Sequence, residues 1–249
     1  MVFGDYARYY NLLYKDKDYK GEVDYIQMLI TRFSTNKAES ILDLGCGTGT
    51  HAYLLSKKGY SVIGVDRSKK MIKIAKTHEK EQTEFFVGNI TTINLEKQFD
   101  VIVSLFHVIS YITKNEDLEA FFKNISKHLK KDGLLIFDCW YGPAVLTDRP
   151  ATRIKRLEDE KIIVTRIAEP VIRPNENSVD VRYEVTIENK TDNQSEKICE
   201  THPMRYFFKP EMELFFERYG FELLKGEEWM TGKPLGFDTW GACWVIKKV

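Results

Sequence analysis

Short apolar runs alternate with amphipathic segments through the first half of the chain. Apolar runs at 40–44, 60–66, 84–90, 99–105 and 134–137 predict buried strands of a largely parallel sheet. Apolar residues spaced three and four apart predict intervening helices at 48–58, 69–78 and 115–131. Ser68 is placed to cap the second of these helices and Gly133 to end the third. Strands and helices in this alternation predict an α/β fold.

The two ends of the chain follow other patterns. Aromatic and leucine residues at helical spacing predict a helix over 6–14, and a second helix is expected over 21–33. Between residues 151 and 208, β-branched residues alternate with charged ones at 153–157, 162–167, 179–187 and 198–206, which predicts an antiparallel insertion after the fifth strand. A helix over 210–219 and strands over 221–229 and 240–247 are expected to complete the chain.

The composition of the chain mainly argues against particular classes of binding partner. The 37 basic and 37 acidic residues cancel, so no overall field would attract nucleic acid or anionic lipid. No apolar run approaches the ~18 residues of a membrane-spanning helix, and the first residues do not have the pattern of a signal peptide. The four cysteines form no C-x-x-C pair and no zinc-like cluster with histidine. We therefore expect a cytoplasmic protein with no metal, nucleic-acid or membrane partner.

The first buried strand runs into three alternating glycines, in the order Asp43-Leu44-Gly45-Cys46-Gly47-Thr48-Gly49. Glycine tolerates a positive φ and lets a ligand approach the backbone closely. The helix that follows directs its free N–H groups toward the same place. A dinucleotide-binding turn would require glycine at position 50, where this chain has Thr50. The turn is therefore expected to bind a different ligand.

A second acid stands at the end of the next strand. Asp66 follows Gly45 by 21 residues, close to the ~20 at which a carboxylate accepts hydrogen bonds from ribose hydroxyls. Ligands in open α/β sheets bind at the carboxyl ends of the strands. His107 and Tyr111 follow the fourth strand, so both are candidates for orienting a substrate or accepting its proton. Packing beneath a covering segment is the alternative role for this pair.

The Asp43-x-Gly45-x-Gly47-x-Gly49 pattern, with Asp66 beyond it, resembles the first motifs of class I S-adenosylmethionine-dependent methyltransferases. The resemblance implies a Rossmann-like fold: a mixed seven-stranded sheet with helices on both faces and its last strand antiparallel. It implies S-adenosyl-L-methionine as cofactor and S-adenosyl-L-homocysteine as product. In this family the first acid holds the cofactor's ammonium group and the second its ribose. The implied cofactor-binding residues are Tyr14, Tyr19, Asp43, Gly45, Cys46, Gly47, Gly49, Asp66, Arg67, Asn89, Ile90 and Leu105.

One of these positions departs from the family pattern. The family usually has an acidic residue near position 89, where it takes the adenine amino group, and this chain has Asn89. An amide carbonyl can accept that N–H, and its NH₂ group can donate to a ring nitrogen. The backbone N–H of Ile90 is the other adenine contact that the resemblance implies.

Residues 10–19 resemble the N-terminal lid of small-molecule methyltransferases, notably those that N-methylate nucleotide-linked amino sugars. In these enzymes, lid tyrosines help to close over cofactor and substrate, a role implied here for Tyr14 and Tyr19. The alternative is that this N-terminal segment is an amphipathic helix that only covers the core, with its tyrosine hydroxyls at the solvent-exposed edge. Family members carry a similar β insertion, which covers the pocket and often mediates self-association, so a homodimer is also an expectation.

These expectations define three regions and one reaction. Residues 1–35 would form the lid, residues 36–150 and 209–249 the cofactor-binding core, and residues 151–208 the β insertion. The expected function is methylation of a small molecule, with an amino group such as that of a nucleotide-linked amino sugar as the favoured acceptor. A glycine or small-amine N-methyltransferase, a small-molecule O-methyltransferase and a non-catalytic binding module remain alternatives. Asp138, at the end of the fifth strand, is expected to line the substrate pocket.

Overall fold

The structure is a computed structural model that describes residues 10–192 and 194–249, with only the backbone described for Tyr10 and Asn11. Its helices are α1 (Tyr10–Leu13), α2 (Tyr19–Phe33), α3 (Thr50–Lys57), α4 (Lys69–Ala75), α5 (Asn115–His128), α6 (Gly142–Thr147) and α7 (Lys209–Arg218). Residues 6–9 of the first predicted helix lie outside the described residues.

The strands are β1 (Ser40–Leu44), β2 (Ser61–Asp66), β3 (Thr83–Val87), β4 (Phe99–Ser104), β5 (Leu129–Tyr141), β6 (Arg153–Glu158), β7 (Ile162–Arg173), β8 (Ser178–Asn189), β9 (Ser195–Phe207), β10 (Phe221–Glu228) and β11 (Gly241–Lys248). Short 3₁₀ turns occupy Lys76–His78, Val108–Tyr111 and Pro174–Glu176.

Strand β1 lies inside a parallel layer. The order β3-β2-β1-β4-β5 is parallel throughout, with Ile41 of β1 paired to Val62 of β2 and to Val101 of β4. Strand β11 then pairs antiparallel with β5 on one side and with β10 on the other. Antiparallel β11, the last strand in the chain, confirms the Rossmann-like mixed sheet predicted from the sequence. All the turns that carry the candidate site leave the carboxyl edge of this layer.

Both faces of the sheet are covered by helices. Phe121 and Phe122 of α5 and Phe216 of α7 pack on one face, against Trp244 of β11. A second buried cluster, which includes residues of α2 and α3, covers the other face. Apolar residues on both faces explain why the central strands are continuous apolar runs.

The insertion continues the sheet. Strands β6, β7, β8 and β9 form an antiparallel meander, as predicted. The last residues of β5 join it to the core, because Trp140 and Tyr141 pair in parallel with Tyr206 and Phe207 of β9. The meander therefore begins at the carboxyl end of β5, beside the edge where the candidate site lies.

The predicted end of α5 is wrong. Gly133 does not end α5, which stops at His128, and the chain is already extended at Leu129. Strand β5 starts there with an irregular register against β4, and the left-handed backbone in this region belongs to Asp132 rather than to the glycine. A Cβ on Gly133 would lie 2.9 Å from the carbonyl oxygen of Asp100, so a close approach to β4 explains the glycine.

No helix within the described ranges is long and apolar enough to cross a membrane.

Candidate active site

A cavity of about 700 Å³ opens at the carboxyl ends of the parallel strands, between the core and the insertion. Two predicted site residues, Asp43 and Gly49, are not among those that line it. The other twelve line the cavity together: Tyr14, Tyr19, Gly45, Cys46, Gly47, Asp66, Arg67, Asn89, Ile90, Leu105, His107 and Tyr111.

The glycine turn has the backbone that its sequence predicts. Gly45, Gly47 and Gly49 have φ angles of +80°, +55° and +81°. A Cβ on Gly47 would meet nothing within 4 Å, which leaves this backbone open to a ligand. A Cβ on Gly49 would instead lie 2.9 Å from the ring of Phe85, and this residue serves as the N-cap of α3. Gly49 therefore shapes the turn through packing.

Asp43 is a buried acid with no counter-charge among the described residues. Its side chain is 2% exposed, and its Oδ2 has no hydrogen-bond partner within the described residues. Burial, together with the negative charge of Asp66, raises the pKa of Asp43 to about 7. A buried carboxylate oxygen with no donor fits an incoming cation, such as the ammonium group of an amino-acid tail.

Asp66 is held in place by the backbone. Its Oδ2 accepts a hydrogen bond from the N–H of Gly47 at 3.0 Å, and its Oδ1 accepts one from the N–H of Ser68 at 2.7 Å. Ser68 in turn caps α4 through its side chain, as predicted. Burial raises the pKa of Asp66 despite these two donors. The carboxylate is thus fixed with lone pairs left for hydroxyl groups of a ligand in the cavity.

The side-chain amide of Asn89 lines the cavity, and its oxygen already accepts hydrogen bonds within the protein. Its Oδ1 accepts hydrogen bonds from both the backbone N–H and the hydroxyl of Thr91, each at 3.0 Å. Two donors satisfy an amide carbonyl, so the NH₂ group is the part of this side chain left for a ligand. Of the two contacts that the sequence allows with adenine, donation to a ring nitrogen is the one that this geometry favours.

A strained turn presents His107 to the cavity. Phe106 and His107 have φ angles of +68° and +60°, an uncommon backbone for two consecutive residues with side chains. The N–H of His107 donates to both carboxylate oxygens of Asp138, at 3.2 and 3.1 Å, and this acid also lies 2.8 Å from His107 Nδ1.

Asp138 does not line the pocket, contrary to the sequence prediction. Its side chain is 1% exposed and lies under the turn, because β5 extends past this residue to Tyr141. Its carboxylate holds the strained backbone through the N–H of His107.

The lid segment lies over this turn. The ring of Tyr14 makes an edge contact with Phe106, with 5.0 Å between centroids, and Nη1 of Arg166 in β7 donates to the Tyr14 hydroxyl at 3.1 Å. Lys17 lies over the rings of Tyr19 and Phe106. Residues 14–19 therefore contact both the core and the insertion.

A second set of contacts joins the lid to the glycine turn. Glu22 of α2 pairs with Lys17 and with Nε2 of His51, which lies in the first turn of α3. The opposing effects of burial and these two partners leave the pKa of Glu22 lowered. Tyr19 makes an edge contact with the ring of His51 at 5.0 Å. The histidine is thus a buried link between lid and turn.

Tyr111 is bonded to the insertion. Its hydroxyl lies 2.8 Å from Nδ1 of His202, whose Nε2 lies 3.3 Å from the Glu200 carboxylate. Sequence reasoning missed both partners, although two polar residues on one face of a strand were a usable signal. Other lining residues that sequence reasoning missed belong to the insertion or lie beside it in the chain: Trp140, Pro150, Ala151, Arg153, Arg166, Ala168, Pro170, Val181, Tyr183, Met204 and Trp240.

Within the part of the chain that the structure describes, no group of three or more His, Cys, Asp or Glu residues is arranged to hold a metal ion.

The strand order, the glycine turn and the two acids define the class I fold that binds S-adenosylmethionine. Residues 41–133 match the family model described as Methyltransferase domain. A crystal structure of an S-adenosylmethionine-dependent methyltransferase from Clostridium acetobutylicum ATCC 824 is 22% identical in sequence. It superposes with a TM-score of 0.83, covering 100% of this chain and 99% of that one.

Two relatives in sequence extend the comparison. A protein of Geobacillus sp. (strain WCH70) that is named a putative methyltransferase is 33% identical over 141 residues, which are 55% of this chain and 57% of that protein. The dTDP-3-amino-3,4,6-trideoxy-alpha-D-glucopyranose N,N-dimethyltransferase of Streptomyces venezuelae is 27% identical over 234 residues, 93% of this chain and 94% of that protein. Residues 41–133 are thus a methyltransferase domain, and the chain as a whole has the fold of an S-adenosylmethionine-dependent methyltransferase.

Proposed function

We propose that the protein transfers methyl groups from S-adenosylmethionine to the amino group of a nucleotide-linked amino sugar. The observation that carries the proposal is a single cavity with two kinds of wall. One wall is the glycine turn with its two acids, and the other is the inserted sheet. The Streptomyces venezuelae relative, which acts on a dTDP-linked amino sugar, aligns over both parts.

The first wall fits the cofactor. Asp43 would hold its ammonium group, Asp66 its ribose hydroxyls, and Asn89 with Ile90 its adenine, while Gly47 lets the backbone approach. When bound, S-adenosylmethionine supplies a methyl group activated by a sulfonium, so no metal or covalent enzyme intermediate is required. These residues contribute binding and orientation.

The second wall fits a sugar nucleotide. Arg153 and Arg166 supply positive charge suited to phosphate groups, and Trp140 and Trp240 supply flat apolar surfaces suited to a sugar or a base. The two tryptophan rings meet edge to face, 5.8 Å apart. A site built for glycine or another small amine would not need a wall of this size and charge.

Holding the acceptor in line with the methyl group is the main catalytic contribution that we assign to the chain. Such orientation can supply roughly 7–11 kcal/mol of barrier reduction. The lid would exclude water, and His107 and Tyr111, which border the cavity beyond the glycine turn, would orient the amine. An amine that enters deprotonated is already a nucleophile, so general-base catalysis is a smaller contribution, about 10²–10⁴-fold where it operates.

The test is methyl transfer by purified protein to a matched panel of acceptors. We expect S-adenosylhomocysteine to form, and the acceptor to gain mass, with dTDP-3-amino-3,4,6-trideoxy-alpha-D-glucopyranose or a related amino-sugar nucleotide. Turnover only with glycine or simple amines, or only with phenols, would favour one of the other methyltransferase types. Failure to bind either S-adenosylmethionine or its product in calorimetry would indicate a non-catalytic binding module.

The proposal extends to assembly and compartment. Among the described strands β6 is the outermost of the insertion, with Ile154 70% exposed on it, and an edge of this kind suits self-association as a homodimer. The four cysteines are free thiols, as expected for a protein of the cytoplasm. Light scattering of the Ile154→Lys variant against wild type tests the first point: a dimer through this edge should dissociate, and an unchanged mass would refute it.

A further inference from the structure

The hydrogen-bonded row Tyr111–His202–Glu200 crosses from the core to the insertion at the cavity wall. Tyr111 ends the 3₁₀ turn after the strained pair Phe106–His107, and the other two residues lie on β9. Both Tyr111 and His202 line the cavity, and the His202 side chain is 1% exposed. The row therefore connects a residue at the reacting end of the cavity with a carboxylate behind it.

Two contacts of His202 indicate which atom donates in each bond. The Glu200 carboxylate is an acceptor, so Nε2 of His202 carries the proton that faces it. In neutral imidazole the other nitrogen is then an acceptor, and the hydroxyl of Tyr111 must donate to Nδ1. Burial lowers the pKa of His202 to about 4, and burial also raises the pKa of Tyr111, so both groups are neutral near pH 7.

Charged groups on several sides act on this histidine. Arg67, after β2, and Arg166, on β7, lower its pKa, while Glu200 on its own strand raises it. The ring of Tyr183, on β8, packs edge-on against it with 4.6 Å between centroids. A neutral ring with a single orientation is consistent with this environment.

On the basis of the function proposed above, we propose that His202 and Glu200 are positioning residues that make the Tyr111 oxygen a hydrogen-bond acceptor for the substrate amine. With its proton committed to His202, this oxygen can only accept from an N–H group. An amine held through its N–H directs its lone pair elsewhere, toward the methyl group. The acceptor must then keep an N–H bond, which restricts transfer to primary and secondary amines.

The direction of the hydrogen bond can be measured without any substrate. Nitrogen-15 NMR of histidine-labelled protein reports which ring nitrogen is protonated, and the His202→Asn spectrum identifies the signal among the five histidines. We expect the Nε2–H tautomer in wild type, with an Nδ1 shift that changes in Tyr111→Phe. The Nδ1–H tautomer, or a charged ring at pH 7, would overturn the proposal.

Steady-state kinetics then tests whether His202 orients the Tyr111 hydroxyl or only holds the insertion against the core. The acceptor is dTDP-3-amino-3,4,6-trideoxy-alpha-D-glucopyranose, and His78→Asn is the control, because that histidine lies outside the cavity wall. Asparagine at position 202 can present an oxygen close to where Nδ1 stands, so we expect kcat within about threefold of wild type. Leucine there removes the acceptor, and we expect kcat to fall on the order of 10- to 100-fold with little change in KM for the cofactor.

The double variant gives the decisive comparison. If His202 acts through the Tyr111 hydroxyl, adding His202→Leu to Tyr111→Phe should lower kcat no further. An equal loss in both backgrounds would mean that His202 only holds the insertion, and would overturn the proposal. If wild type fails to methylate this acceptor, this compound is not the substrate, while the NMR result still decides whether the Tyr111 hydroxyl donates its proton to His202.

Discussion

Asp43→Asn should have opposite effects on the free protein and on cofactor binding. The substitution keeps the shape of a buried side chain and removes its negative charge. In the free protein that charge is costly, because burial raises the pKa of Asp43 from 3.8 to about 7. With the cofactor bound, the same charge would pair with the ammonium group. One variant therefore tests both halves of the proposed site.

The effect on stability follows from the raised pKa. An acid whose pKa is higher in the folded state than in the unfolded state lowers the free energy of unfolding only where it is ionised in the unfolded state. Below about pH 4 the acid is protonated in both states, and it has no such effect. The cost grows as pH rises toward 7 and levels off above it, at about 4 kcal/mol for three pKa units. Asparagine avoids this cost but buries an unpaired NH₂ group, for about 1–3 kcal/mol. We expect a net gain of about 1–3 kcal/mol above pH 7 and a net loss of about 1–3 kcal/mol at pH 4, where only the unpaired NH₂ group counts. Denaturant unfolding at the two pH values measures both.

The effect on binding has the opposite sign. Removing one partner of a buried charge pair costs about 2–5 kcal/mol, so Kd for S-adenosylhomocysteine should rise on the order of 100-fold. Wild type should bind about fivefold more weakly at pH 6 than at pH 7, because roughly one molecule in eleven, rather than one in two, carries the carboxylate. This pH dependence should disappear in the Asp43→Asn variant.

Calorimetry with two ligands isolates the charge pair. 5′-Methylthioadenosine keeps the adenine, ribose and sulfur but lacks the amino-acid tail, so its Kd should be similar in wild type and in Asp43→Asn. Asp24→Asn, an exposed change on α2, serves as the matched control. An equal loss for both ligands would show a general distortion of the turn. Unchanged S-adenosylhomocysteine affinity between pH 6 and 8 would refute the proposed role of Asp43.

Three further substitutions test the turns around the cavity. Gly45→Ala should destabilise the protein by about 2–3 kcal/mol and abolish cofactor binding, because φ is +80° and the new Cβ would lie 2.5 Å from Val108. A Tm of thermal unfolding within about 1 °C of the wild-type value would contradict this prediction. Asp138→Asn should lower kcat on the order of tenfold and leave the cofactor Kd unchanged, because the turn at His107 loses a charged hydrogen-bond acceptor. Steady-state kinetics measures kcat and calorimetry measures Kd; a weaker Kd with unchanged kcat would contradict this prediction. Asp66→Ala should weaken 5′-methylthioadenosine and S-adenosylhomocysteine equally, in contrast to Asp43→Asn, and calorimetry with both ligands checks this.

The sequence predicted the part of the site whose geometry is local. Asp43, the glycines and Asp66 are separated by short, regular elements, so the strand–turn–helix pattern places them at one edge of a parallel sheet. The apolar runs also located the central strands to within a few residues, because buried strands leave a continuous signal. Gly133 was assigned wrongly since a glycine after a helix usually ends it, whereas here β5 begins first.

The residues that complete the cavity depend on contacts across the chain. Tyr111 and His202 are 91 residues apart, and they meet because β5 is four residues longer at its end than its apolar run predicts. Those extra residues pair with β9 and bring the insertion against the core. Asp138 was expected in the cavity for the same reason: if the strand had ended earlier, its last acid would have faced outward. The apolar pattern therefore did not give the full length of β5, on which these contacts depend.

The least favourable local features of the described structure gather at one edge of the sheet. A buried acid without a donor, two consecutive left-handed residues and a neutral buried histidine each cost free energy where they stand. Packing alone does not require any of them, because apolar residues of similar volume would fill the same space at lower cost. An ammonium group supplied by a ligand would offset the cost at Asp43, whose buried Oδ2 has no donor among the described residues. A cavity edge with these features is organised for binding, and the chemistry that Asp43 lacks is that of an amino-acid tail.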